Sequence, residues 1–127
     1  MKIYYAHPMS LYGTLQEKRD IETLKALGFE VVNPADYQEE FKSNLDETSE
    51  KFDEKIFKDP MLFWTRLALT CNAIAFRAFP DGSIGAGIIK EMTVMQGKPI
   101  IELPSGIQKR SLTVEETRET LKELGQR

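Results

Sequence analysis

Apolar positions along this chain fall in short unbroken runs separated by longer stretches with helical spacing. Lys2 to Ala6 is a near-continuous apolar run that stops at His7-Pro8, where proline has no donor to extend a ladder and restricts the residue before it, so a first strand is predicted there. A helix follows from about Tyr12 to Leu27, with Leu15, Ile21, Leu24 and Leu27 on one side and Gly28 as its stop. Phe29 to Val32 is a second strand, closed by Asn33-Pro34, and this β-α-β opening requires a right-handed crossover and parallel strands.

Residues 37 to 60 are rich in Glu, Asp, Lys and Ser around Phe41, Phe52, Ile56 and Phe57, which predicts exposed helices joined by a loose segment near Ser43-Asn44. Pro60 opens a helix through Leu69 that offers Met61, Leu62, Trp64 and Leu67 for burial. Ala73 to Phe76 reads as a buried parallel strand, and Ile88, Met92 and Met95 recur at the i, i+4, i+7 spacing of a helix packed on a sheet and ending at Gly97. Ile100 to Leu103 is a fourth strand. A capping box at Thr113-Val114-Glu115-Glu116 starts a last helix to about Leu124. The alternation predicts a single α/β domain over residues 1–127, a three-layer α/β/α doubly wound, Rossmann-like parallel sheet of four to five strands.

Composition narrows the function classes. The chain has 127 residues, enough for one domain, and a net charge of −3 with no Lys/Arg block, which speaks against polymeric nucleic acid as a partner. Its single cysteine, Cys71, forms no internal disulfide and reads as a small apolar filler beside a strand. Residues 1–8 are too short and polar for a signal-peptide core, and no run of about 18 apolar residues exists for a membrane span, so a cytoplasmic protein without membrane contact is expected. No His/Cys/Asp group has metal-ligand spacing, so neither a metal nor another cofactor is expected.

Candidate chemistry gathers where the third strand runs into the turn Phe79-Pro80-Asp81-Gly82-Ser83-Ile84-Gly85-Ala86-Gly87. Glycines 82, 85 and 87 are expected to adopt positive φ and approach a ligand, and the free N–H groups of the following helix favour an anion. The intervals are not those of the dinucleotide fingerprint. In doubly wound sheets ligands bind at the carboxyl ends of the strands, which brings His7, Pro8, Met9 and Ser10 to the Asp81–Gly87 turn. Several readings stay open. Arg77 pairs with a phosphate, or reaches solvent or an acidic neighbour, Asp81 holds a sugar hydroxyl or forms the turn, and His7 faces a ligand or packs. Trp64, with Met61 and Phe63, lines a base pocket or packs in the core or between subunits. Tyr4 and Tyr5 point to opposite faces of their strand.

In order and spacing, residues 2 to 104 resemble the nucleoside 2-deoxyribosyltransferase family, whose superfamily includes the 2′-deoxynucleoside 5′-phosphate N-hydrolases. The resemblance rests on Lys2-Ile3-Tyr4-Tyr5-Ala6, Glu30-Val31-Val32-Asn33-Pro34, the Asp81-Gly82-Ser83 turn, the Ser83-Ile84-Gly85-Ala86-Gly87 match to a Ser-x-Gly-x-Gly pattern, a Glu-bearing helix and Gly97-Lys98-Pro99. It implies a glutamate nucleophile toward the anomeric carbon, an orienting tyrosine at Tyr4, and a cradle of Ser83 and the amides of 85 to 87 for a 5′-hydroxyl or phosphate. A gap-free alignment puts Ile89 at the glutamate position. A two-residue shift puts Glu91 there and restores the apolar positions after it as Met92 and Met95. Glu91 is then either the nucleophile or a first-turn carboxylate complementing the helix dipole, a contribution of about 0.3–1 kcal/mol. The implied activity is N-glycosidic cleavage or transfer on a nucleoside or nucleoside monophosphate by Glu91 and Tyr4, with His7, Met9, Ser10, Arg77, Asp81, Gly82, Ser83, Gly85 and Gly87 binding the substrate in a homodimer or larger homo-oligomer. The alternative is a protein of the same fold that binds or senses a nucleotide without catalysis.

Overall fold

Strands β1 (Lys2–Ala6), β2 (Glu30–Val32), β3 (Ala73–Phe76) and β4 (Ile100–Glu102) form an all-parallel sheet in the order β2-β1-β3-β4. The structure is a computed structural model and describes residues 1–104. Register is set by Ile3 opposite both Val31 and Ala73, Ala6 opposite Phe76, and Ile74 opposite Ile100. The two central strands are buried on both faces apart from Lys2, which is why they read as continuous apolar runs. Successive side chains of β1 serve opposite cores. Tyr4 and Ala6 join Ile74, Phe76, Ile88 and Met95, while Ile3 and Tyr5 join Leu24, Ala73 and Ala75.

Five helices accompany the sheet among the described residues: α1 (Leu15–Ala26), α2 (Gln38–Leu45), α3 (Glu54–Lys58), α4 (Met61–Leu69) and α5 (Ala86–Val94). Leu24 puts α1 on one face, and Ala68 with Ile88 puts α4 and α5 on the other, which is the expected Rossmann-like three-layer α/β arrangement. The last predicted helix, Thr113 to Leu124, lies outside the described residues.

Four local expectations are corrected. The first helix starts not at Tyr12 but after Thr14, whose hydroxyl accepts the Glu17 N–H, and Gly13 just before it has φ +76°. Tyr12 thereby stays in a loop that begins with a 3-10 turn, Met9–Leu11. Leu15 and Leu27, expected on the packed side, are 60% and 61% exposed; the buried face carries Glu17, Asp20 and Leu24. Ser43-Asn44 is not a loose joint but part of α2; the helix breaks at Asp46, whose carboxylate accepts the Thr48 N–H, and the segment to α3 is tied back by Asn44, which donates to the Lys51 carbonyl. Packing of residues 61–64 between subunits calls for an exposed apolar strip, which they do not form: Phe63 is buried and its three neighbours are half-buried. Among the described residues no helix is long and apolar enough to cross a membrane.

Candidate active site

The strand order changes direction between β1 and β3, since the chain leaves β1 toward β2 on one side and returns to β3 on the other. At this switch point the loops after the two strands diverge and leave a crevice at their carboxyl ends. After β3 the chain makes a turn closed by Phe79 N–H to the Ser83 carbonyl (2.8 Å) and Gly82 N–H to the Phe79 carbonyl (2.8 Å), then enters α5 at Gly85. Gly82, with φ +88°, is where that turn needs glycine. The expectation of positive φ at Gly85 and Gly87 is not met: Gly85 is extended at φ −61° and Gly87 is helical.

A cleft of about 210 Å³ occupies the crevice, and Tyr4, His7, Met9, Gly85, Gly87 and Glu91 of the predicted residues line it. Ser10, Arg77, Asp81, Gly82 and Ser83 do not. Of the pocket and packing roles open to Trp64, it fills both: it lines the cleft and packs on Phe41, ring centroids 4.8 Å apart. Met61 lines it beside Gly87, where an added Cβ would meet its sulfur at 3.5 Å. Tyr12 and Phe79, not expected there, complete the aromatic wall.

Glu91 forms the floor. It is 7% exposed, and the wholly buried Tyr4 hydroxyl donates to its Oε2. Ile89, which the gap-free alignment puts at the glutamate position, is 46% exposed and is not part of the cleft. Glu91 lies beyond the first turn of α5, which contains no acidic residue, so a helix-dipole role, confined to the first turn, does not account for it. Nor does the dipole keep the group readily ionised. Burial raises its pKa from 4.5 to about 7, only partly opposed by the hydrogen bond from Tyr4. Burial, followed by the nearby Glu91 charge, pushes the Tyr4 phenol far upward, so it is the tyrosine that keeps its proton in this pair.

Arg77 is directed away from the cleft by the alternation of β3 that its position continues. Its Nε and Nη2 donate to the two oxygens of Asp20 on α1, at 2.6 and 2.7 Å, and both side chains are buried. Asp20 also accepts from the Tyr5 hydroxyl at 2.5 Å and from Gln16 at 2.9 Å, so this buried charge pair is fully hydrogen-bonded. Of the readings open for Arg77, a phosphate, solvent or an acidic neighbour, the acidic neighbour is the one present. Asp81 and Ser83 also close on each other: Oδ1 of Asp81 accepts from the Ser83 hydroxyl at 2.6 Å and from its N–H at 2.9 Å. The Ser83 hydrogen bonds hold the exposed Asp81 carboxyl below its usual range. His7 lines the cleft with its ring, but Nδ1 lies 2.9 Å from the Tyr5 carbonyl and Nε2 lies 2.7 Å from Glu17 Oε2, while its face stacks on Tyr5 at 3.8 Å.

Glu17 and Asp20 were missed as site-supporting residues, although a signal existed. Taking Leu24 and Ile21 as the buried stripe of α1, positions 17 and 20 fall on the same stripe, so two carboxylates sit where apolar residues are expected. Among the described residues no group of His, Cys, Asp and Glu is arranged to hold a metal ion. No family model, curated protein or solved structure matches the chain.

Proposed function

We propose that the protein cleaves or transfers the N-glycosidic bond of a (deoxy)nucleoside or nucleoside 5′-monophosphate, with Glu91 as nucleophile. The observation that carries this reading is a buried glutamate at the floor of an aromatic cleft, one oxygen bonded by a buried tyrosine hydroxyl. Tyr4 fixes the carboxylate rotamer and leaves Oε1 for attack. Trp64, Tyr12 and Phe79 present aromatic surface suited to a base. The start of α5 has no side-chain cap, and Gly85 and Gly87 border the cleft there, so backbone donors are placed for a 5′-hydroxyl or phosphate.

In the reaction, ionised Glu91 forms a bond to C1′ as the C1′–N bond breaks, and its electron pair leaves with the base, which takes up a proton. Water then attacks C1′, releasing the sugar with a new hydroxyl, a proton and the regenerated carboxylate. A second base in place of water gives transfer. Arg77 and Ser83 are occupied by Asp20 and Asp81, so a 5′-phosphate relies on the amides at the start of α5. Ile89 and Val94 on α5 and Leu69 on α4 are exposed apolar residues, suited to a second copy of the chain, and we read the active form as a cytoplasmic homodimer or larger assembly.

The test is chromatographic detection of free base after incubation with 2′-deoxynucleosides and their 5′-monophosphates, with and without an acceptor base. Release or exchange by wild type that is lost in Glu91→Gln is expected. Absence of turnover across the panel, or turnover that survives in Glu91→Gln, overturns the proposal.

A further inference from the structure

The polar side chains lining the cleft differ in whether they are already engaged. The Tyr4 hydroxyl is given to Glu91, and both ring nitrogens of His7 are occupied by the Tyr5 carbonyl and Glu17. Tyr12 differs. It is half-buried, its ring lies 4.8 Å from that of His7, and its hydroxyl makes no hydrogen bond among the described residues. Trp64 contributes an indole N–H, which donates only. Tyr12 thus supplies the one hydroxyl lining the cleft, among the described residues, that can donate and accept and is not already engaged.

Its position is not left to a free loop. Glu17 Oε2 meets His7 at the end of β1 and Oε1 accepts the Gly13 N–H at 3.1 Å, so one buried carboxylate ties down both ends of the segment that carries Tyr12. The Thr14 hydroxyl donates to the Leu11 carbonyl at 2.6 Å, and the Tyr12 N–H donates to the Met9 carbonyl at 3.1 Å. A half-exposed phenol held this firmly at the rim of a cleft is preorganised for a ligand. Burial, then the negative charges of Glu91 and Glu17, push its pKa to about 12, so it is a protonated donor at neutral pH.

We infer that Tyr12 is a substrate-contacting residue, its hydroxyl hydrogen-bonding a polar atom of the substrate seated above Glu91. This rests on the glycosidic reading for the identity of the substrate, and the geometry of the rim carries the rest. A purely structural role, packing against His7, is preserved by phenylalanine, which keeps the ring and removes only the hydroxyl.

The experiment compares wild type, Tyr12→Phe and Glu91→Gln for base release from the deoxynucleoside panel. Alongside, each deoxynucleoside is titrated against the fluorescence of Trp64, the single tryptophan, which lines the cleft. Tyr12→Phe is expected to fold with an unchanged melting temperature and to lose about tenfold in kcat/KM, the size of one hydrogen bond. Wild-type kinetics in Tyr12→Phe, with Glu91→Gln inactive, overturn the role of Tyr12 and leave the glycosidic reading standing. If wild type releases no base, that reading fails and the titration decides: weaker binding by Tyr12→Phe than by wild type supports the contact, and equal or absent binding overturns it.

Discussion

Glu91→Gln probes the electrostatics of the cleft without any substrate. Burial raises the Glu91 pKa from 4.5 to about 7 because the ionised form has lost its water, so the folded protein holds this proton more tightly than the unfolded chain. For a carboxyl group shifted in this direction, the folded state is favoured at low pH and loses that advantage as pH rises from about 4.5 through about 7. The shift corresponds to about 3 kcal/mol, of which about 2.5 kcal/mol falls between pH of about 5 and about 8.5. Glutamine keeps an oxygen that accepts from Tyr4 and does not titrate. The stability of Glu91→Gln relative to wild type should therefore rise by about 2.5 kcal/mol across that interval, with groups common to both proteins cancelling in the difference. Urea unfolding followed by Trp64 fluorescence and far-ultraviolet circular dichroism at a series of pH values measures it directly. A difference between the two proteins that stays constant within about 0.5 kcal/mol would refute the argument that burial governs this carboxyl group.

On the proposed glycosidic reading the same group sets the pH dependence of base release. Base release should increase with pH through about 7 as Glu91 ionises, and Tyr4→Phe, which removes the bond that lowers this pKa, should move that limb upward in a pH–rate profile. Arg77→Met strips Asp20 of its countercharge inside the α1 face and should destabilise the fold by about 3–5 kcal/mol in urea titrations; a loss under about 1 kcal/mol would contradict the buried pairing. Gly87→Ala puts a methyl group at ordinary contact distance from Met61 in a helical position, so the melting temperature should rise, by about 0.5 kcal/mol of stability, while the narrowed cleft raises KM several-fold. A fall in melting temperature would show that the site is tighter than the contact distances imply.

Periodicity and punctuation carried the architecture. Strands at 2–6 and 73–76 were legible because wholly buried parallel strands are apolar on both faces, and Pro8, Gly28, Pro34 and Gly97 mark their connections. The stripe of Ile88, Met92 and Met95 likewise fixed the rotation of α5, which is why Glu91 rather than Ile89 faces inward. Polar residues were harder to place, because a charged side chain in sequence carries no mark of its partner. Arg77 and Ser83 looked like phosphate ligands while their partners were unknown. The former meets Asp20, which is 57 positions away in sequence, and the latter meets Asp81 within its own turn. Tyr4 and Tyr5 are neighbours in the chain, yet the pleat sends one to Glu91 and the other to Asp20 on opposite faces of the sheet. The pattern of apolar residues thus determined which segments pair and which faces are buried, since burial of apolar area is local in its periodicity. Which acid meets which base or hydroxyl, and so which groups remain free in the cleft, was decided only by tertiary packing, because those partners are brought together by strand order and helix rotation and not by their spacing along the chain.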